Sequence, residues 1–482
     1  MTSTLVSAEA PASARSPITL GFLIRFSGPL VATFLMMAAA APIIVHGISW
    51  IKDAEGERVH LSAFLLVGAV AVFIYSPMFV SRDVANRTVT DRASFVRSTW
   101  FFMFWSAVAA VILLWVGQVD AVRHFVFGKV LHGTAETEHL AINGLRLFAV
   151  MPFLAALRGL GQGCHINNGE TWHVGIGTAL RLVAIAVFVY GFAVWHDMSG
   201  PVLGALTYLI GMTVETAYVL FTLRGKPQLT RIESGPTLTF RQFTRYAGPL
   251  MLGSFLLQFC PPMLIYIINR AGLPAENAAA FSVTRDCFWF VVSVLLIVPP
   301  LVVTHATSLR NLRLLLGLCV AVTAVLTALT GLLAMPAVRD EVFVRVFRVN
   351  NETILSLISV GLLWVLPTPA LMFLNYLVAA LHTRSGRTGW VTAGNLAGLL
   401  FLLAVAVGPD LSDNRGIVLA VVCNAVFLLV STLVQAIGLF GGGFAAAIDP
   451  SSLAERLQNR HRPAAATAES VTRSAEIDRQ RV

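Results

Sequence analysis

The chain is a succession of long apolar runs separated by short polar connections. A bilayer core about 30 Å thick needs about 20 apolar residues to cross it as a helix. That length predicts twelve spans. Six fall near residues 20–46, 61–80, 98–117, 140–160, 172–195 and 201–223, and six near 244–268, 278–303, 311–335, 354–381, 389–408 and 416–440. The connections are too short to hold a soluble domain. Ala38-Ala39-Ala40 mimics a signal cleavage site, but the apolar run around it is too long for a signal peptide.

Composition sharpens the class. Of 482 residues, 56% are hydrophobic and only 12% charged, against about 25% charged in a soluble protein. A soluble enzyme, a nucleic-acid module and a disordered scaffold are excluded, and no nucleic-acid partner is expected. The formal net charge is +9, yet the basic residues form no single stripe. They cluster instead in the loops with Arg82, Arg87, Arg92 and Arg97 and with Arg224, Lys226, Arg231 and Arg241, and Arg158, at the end of the fourth span, counts with them on the cytoplasmic side. The positive-inside rule then places both termini in the cytoplasm, with the protein in the cell (plasma or inner) membrane. The five cysteines sit in apolar stretches without C-x-x-C spacing, so neither a disulfide framework nor a zinc site is indicated. No cofactor and no metal is expected.

The halves of the chain resemble each other. A shift of 220 lays Arg25, Gly28, Pro29 and Pro42 on Arg245, Gly248, Pro249 and Pro262. A shift of 217 lays Pro152, His165, Gly169 and Thr171 on Pro369, His382, Gly386 and Thr388, and a shift of 216 lays Val202 and Thr216 on Val418 and Thr432. Each repeat holds six spans, an even number, so the repeats are parallel and related by an axis along the membrane normal. The expected fold is all-α, a polytopic membrane protein of twelve transmembrane helices in two pseudo-symmetric six-helix bundles. The divisions are a cytoplasmic N-terminal tail (1–19), a first bundle (20–224), a cytoplasmic linker (225–242), a second bundle (243–441) and a largely disordered cytoplasmic tail (442–482). Pro42 and Pro262, late in the first helix of each bundle, can kink it and serve as hinges or as fixed bends. His165 and His382 lie beside the short cytoplasmic connections and read as solvated.

The runs Leu23-Ile24-Arg25-Phe26-Ser27-Gly28-Pro29-Leu30, Ser76-Pro77 and Met151-Pro152-Phe153 resemble the multidrug/oligosaccharidyl-lipid/polysaccharide (MOP) exporter superfamily, with its MATE-like fold. Within it they are more similar to the progressive ankylosis (ANK) branch than to the MATE drug exporters. The resemblance implies twelve helices in two lobes and export of small anions such as citrate, pyrophosphate or nucleotides. Cation-exporting MATE proteins rely on membrane carboxylates in the first or seventh helix, whereas residues 20–46 and 244–268 contain no Asp or Glu.

Charges within spans are costly and tend to face a cavity or pair. Arg181 and Glu215 both fall about 12–14 Å from the cytoplasmic edge, which makes them a candidate ion pair. Arg146 and Arg285, one per lobe and about 9–11 Å below the outer edge, are candidate anion contacts, since the Arg fork matches carboxylate and phosphate. Asp286 adjoins Arg285 but points about 100° away on a helix. Arg25 and Arg245 are interfacial and, with Pro42 and Pro262, are the gate or hinge candidates. The expected function is secondary transport, by alternating access, of a small organic or phosphorylated anion out of the cell. The partners would be membrane lipids and a coupling ion, H⁺ or Na⁺, with the protein a monomer. A flippase for a lipid-linked saccharide and a MATE-type multidrug or cation antiporter remain the alternatives. A membrane enzyme is disfavoured, because no nucleophile, base or metal cluster appears, and without a P-loop ATP does not drive the transport from this chain.

Overall fold

In the computed structural model the described residues are 19–48, 57–130, 135–195, 198–231, 239–272, 274–346, 352–408, 415–440 and 447. The expected N-terminal tail up to residue 18, the linker segment 232–238 and the tail from 448 onward lie outside them. Ten helices are long and apolar enough to cross a bilayer, and two pairs bent by 40° and 44° bring the number to twelve. The chain is a multi-pass membrane protein. Spans 1 to 6 are Leu20–Ile48, Glu57–Tyr75 continued by Ser81–Thr88, Arg92–Gln118, Ala135–Phe148 with Met151–Asn167, Thr171–Trp195 and Gly200–Thr222. Spans 7 to 12 are Phe240–Leu257 with Cys260–Asn269, Pro274–Val292 continued by Val298–His305, Leu309–Ala334, Glu352–Val365 with Thr368–Ser385, Gly389–Val407 and Gly416–Phe440.

Local sequence sets where these helices start and bend. Asp91 accepts from the Ser94 amide while the Ser94 hydroxyl accepts from the Asp91 amide, a capping box that opens span 3. Thr239 and Gln242 open span 7 in the same way. Pro152 and Pro369 sit in the first turn of the second segments of spans 4 and 10, where the missing N–H costs nothing and the preceding helix must end. Those segments run on to Asn167 and Ser385, several residues past the expected ends.

The two lobes repeat contact by contact. The Thr171 hydroxyl donates to the Phe26 carbonyl at 2.7 Å, and its counterpart Thr388 donates to the Tyr246 carbonyl at 2.7 Å. His165 Nε2 meets the Val219 carbonyl at 3.2 Å, and His382 Nε2 meets that of Gln435 at 2.8 Å. Both histidines are fully buried, contrary to the expectation of solvated rings, because spans 4 and 10 extend past the expected edge and carry them inside. Spans 2 and 8 both pass through a 3₁₀ turn, Ser76–Val80 and Ser293–Ile297. The paired prolines differ: span 7 is interrupted between Leu257 and Cys260, just before Pro262, whereas span 1 runs unbroken through Pro42, whose side chain lies outside the described residues.

The lobes touch most closely along one face of the membrane. The Asn86 side-chain amide donates to the Thr304 hydroxyl at 3.0 Å, and that hydroxyl lies 3.1 Å from the Asn86 carbonyl oxygen. Beside them the Phe26 and His305 rings meet edge-on at 4.6 Å. Nearer mid-membrane the Ser254 hydroxyl donates to the Ser76 carbonyl at 2.9 Å, and Phe73 packs on Phe255 and Phe259. The other halves of spans 2 and 8, Glu57–Tyr75 and Pro274–Val292, pack mainly inside their own lobes.

Two glycines carry the tightest repeated approach. A Cβ on Gly144 would lie 2.8 Å from Pro201, and one on Gly361 would lie 2.6 Å from Ile417. Gly144→Ala and Gly361→Ala should therefore each destabilise by about 1–3 kcal/mol through overpacking. Thermal melting of the detergent-solubilised protein tests this, and an unchanged midpoint in either variant would contradict the shared packing.

Candidate functional site

Three membrane helices meet on a charge in the first lobe. The second half of span 4 presents Arg158, Gln162 and His165, spaced four and three apart on one face. Span 5 contributes Thr178 and Arg181, and span 6 contributes Tyr208 and Glu215. Glycines let the helices close in: a Cβ on Gly161 would lie 2.5 Å from Val219, and one on Gly211 would lie 2.7 Å from Ile185.

Glu215 is the hub and has no exposed surface. One carboxylate oxygen accepts from Gln162 at 2.8 Å and from the Thr178 hydroxyl at 2.9 Å. The other lies 3.4 Å from Arg158 Nη1 and 3.5 Å from Arg181 Nη1. The Arg181 guanidinium also lies over the Tyr208 ring at 5.9 Å. Arg158 and Arg181 are 9% and 7% exposed, so two cations share one anion in a nearly dry site. The Nε–H of each arginine has no hydrogen-bond partner among the described residues. The cluster thus has one surplus positive charge and two unanswered donors. An anion is what such a site lacks.

The second lobe has the same junction without charge. Arg158, Thr178 and Glu215 correspond to Asn375, Asn395 and Ser431, and Arg181 to Gly398. The Asn375 amide donates to the Ser431 and Thr432 hydroxyls at 3.1 and 3.2 Å, and Ser431 donates to Asn395 at 3.0 Å.

The expected site residues scatter around this hub. Arg181 and Glu215 meet, as their depths suggested. Arg158 is a correction: its place in the basic tally of the cytoplasmic side does not hold, because span 4 continues to Asn167 and buries it. Gln162 was also missed. The signal available was the four- and three-residue spacing from Arg158 through Gln162 to His165 and the match of Arg158 to Asn375, a second polar residue in an apolar run. Arg146 is exposed and donates to Gln118 at 2.8 Å and to Asn143 at 3.3 Å. Arg285 is exposed on span 8, and the side chain of its neighbour Asp286 lies outside the described residues. Spans 4 and 8, which carry Arg146 and Arg285, each pack chiefly within their own lobe, so the two arginines are not brought together. Arg25 is exposed on span 1, and Arg245 lines a cleft of about 770 Å³ with Tyr246, Arg387 and Trp390.

A second polar group caps the first lobe at the end of span 4. His165, Glu170 and His173 place their ligand atoms within 4.8 Å of one another, and Lys226 pairs with Glu170. Burial pushes the Glu170 carboxyl up, but the Lys226 ammonium paired with it outweighs this and holds it below the ordinary range.

No protein-family model and no curated protein matches the chain. Solved structures do. A multidrug-resistance MATE family transporter of the MOP superfamily in an outward-facing conformation aligns with TM-score 0.61 at 14% identity, over 87% of this chain and 96% of its own. A Vibrio cholerae MATE transporter, solved as a mutant, aligns at 0.65 and 13% identity over 87% and 97%. A Pyrococcus furiosus MOP superfamily transporter, reported to have a binding pocket of reversed polarity, aligns at 0.55 and 14% identity over 87% and 95%. The fold is therefore the MATE-like one, two bundles of six helices. A particular closeness to the ANK branch is not among these likenesses.

Removing Glu215 alone would leave two buried guanidiniums facing each other. Glu215→Gln should cost about 3–5 kcal/mol, the scale for breaking a buried pair. Copying the second lobe, with R158N, R181G and E215S together, should recover much of that loss. Melting midpoints decide it: a triple variant no more stable than Glu215→Gln would show that the charges do not balance one another.

Proposed function

We propose that the protein is a secondary transporter that moves a small organic or phosphorylated anion across the membrane by alternating access of its two lobes. The observation that carries the substrate class is the surplus positive charge at Arg158, Arg181 and Glu215, with both Nε–H donors unpartnered. A desolvated carboxylate or phosphate gains charge-assisted hydrogen bonds there that replace its lost hydration. The lack of any acid in residues 20–46 and 244–268 points the same way, away from a cation site. The Pyrococcus furiosus fold neighbour is reported to have a binding pocket of reversed polarity, so pocket polarity is not fixed by this scaffold. Arg146 and Arg285, exposed on spans 4 and 8, are the proposed outer contacts that draw the anion in. The proposed setting is the cell membrane with both termini cytoplasmic. In that orientation the Asn86–Thr304 face is the cytoplasmic one, and the outer halves of spans 2 and 8 pack mainly within their own lobes.

Removing one arginine separates transport from folding. Arg158→Gln or Arg181→Gln leaves a neutral one-to-one pair with Glu215, so the protein should stay folded while the surplus charge disappears. In proteoliposomes holding a panel of organic anions, phosphorylated anions, ethidium and a lipid-linked saccharide, wild type should show saturable anion flux. Either variant should raise the half-saturating concentration ten- to a hundredfold, the equivalent of about 1.5–3 kcal/mol. Flux of ethidium or of the lipid-linked sugar, with none of any anion, would replace the reading by a drug antiporter or a flippase. Runs with imposed H⁺ or Na⁺ gradients identify the coupling ion.

A further inference from the structure

Glu170 and the two histidines around it form a ligand set that transport at Glu215 does not use. His165 ends span 4, His173 opens span 5, and the three-residue turn between the helices carries Glu170. The turn closes through Gly169, whose φ of 76° a side chain rarely adopts. The His165 Nε2 atom lies 3.2 Å from the Val219 carbonyl, a pure acceptor, so that nitrogen bears the proton. Its Nδ1 then offers a lone pair, and 3.3 Å away stands a carboxylate oxygen of Glu170. Two acceptors face each other, and a cation belongs between them. The His173 Nδ1 atom lies 3.1 Å from the Tyr218 hydroxyl, and Trp172 stacks on the ring at 3.6 Å, so this ring is also held.

We propose that His165, Glu170 and His173 form a divalent transition-metal site of the zinc class. Two imidazoles and a carboxylate suit Zn²⁺ and its neighbours, with a fourth position left for water. Ligand bonds of about 2.1 Å place two donors at most about 4.2 Å apart. Atoms now within 4.8 Å need only a side-chain adjustment to reach that. The Val219 carbonyl and the Tyr218 hydroxyl supply the outer hydrogen bonds that orient metal-binding histidines. Lys226 is the built-in competitor: its ammonium pairs with the second oxygen of Glu170 and holds a positive charge beside the position the metal would take. Lys226 lies just after span 6 on the connection to span 7, which Gln228 and Arg231 also tie to the first lobe through Asn168 and Arg92, so metal entry would remove one of several such ties. The second lobe lacks the set, with Arg387 and Trp390 standing in place of Glu170 and His173.

The test uses the full-length protein, stripped with chelator in detergent and titrated with Co²⁺ followed by its visible absorption. Wild type should bind one equivalent with a low-coordinate spectrum, and Zn²⁺ should displace it. Glu170→Gln and His173→Gln should each weaken binding at least about tenfold. Lys226→Met, a substitution on a half-buried connection, should keep the fold and tighten binding by removing the competing ammonium. Zn²⁺ should raise the melting midpoint of wild type and of Lys226→Met, and not that of the two ligand variants. No saturable Co²⁺ spectrum, binding indifferent to Glu170 and His173, or weaker binding by Lys226→Met would each overturn the site.

Discussion

A carboxylate inside a membrane lobe must be answered by protein, because no bulk water reaches it. That constraint on Glu215 organises the first lobe. Its two oxygens take up donors from two neighbouring helices, Gln162 and Arg158 from span 4 and Thr178 and Arg181 from span 5. Each contact fixes the rotation of a helix as well as its position. Small residues must then line the crossings, and Gly161 and Gly211 occupy them. An isolated pair would have met the electrostatic need. The second guanidinium exceeds it, and an excess buried charge is expensive enough to call for a use.

The contrast between lobes sharpens this reasoning. The same backbone junction in the second lobe is held by Asn375, Ser431 and Asn395 with no charge at all. Neutral hydrogen bonds therefore suffice to hold three helices at this crossing in this fold. The charges of the first lobe are not required by the architecture, which separates what the two lobes share from what one of them adds. The same holds at the lobe ends, where His165 and His382 keep equivalent backbone bonds while Glu170 and Arg387 diverge in sign.

The fold was legible because it rests on two coarse signals, span length and the repeat, and both survive errors of a few residues in each boundary. The site was legible only in part. Helical rise placed Arg181 and Glu215 at equal depth, and depth is a one-dimensional quantity that sequence carries. Arg158 was misplaced because its depth depends on where span 4 ends, and no proline or run of polar residues marks that end before Asn167. The solvated reading of His165 and His382 failed for the same reason. Arg146 and Arg285 expose a different limit. Equal depth in two lobes says nothing about which way a side chain faces, and that depends on helix rotation and on which lobes touch.

The strengths of the contacts divide the molecule into parts that can move and parts that cannot. Within a lobe, glycine-mediated crossings and a buried ionic hub would lose several kcal/mol if the helices slid. Between lobes, the sealed face has one Asn86–Thr304 pair, the Ser254–Ser76 contact and a few ring contacts such as Phe26–His305. Each is worth about 0.5–1.5 kcal/mol. An anion that bound at Arg158 and Arg181 with one or two charge-assisted hydrogen bonds would supply about 1.5–3 kcal/mol for each. That is comparable with any one of these polar or ring contacts, which lie beside apolar packing of Leu23, Phe26 and Leu30 on the second lobe, and it is well below what holds each lobe together. Binding energy of this size can bias which face is closed, and it cannot remodel a lobe. Any alternation between faces must then be a rigid-body motion of two bundles, with the rearrangement confined to the seam.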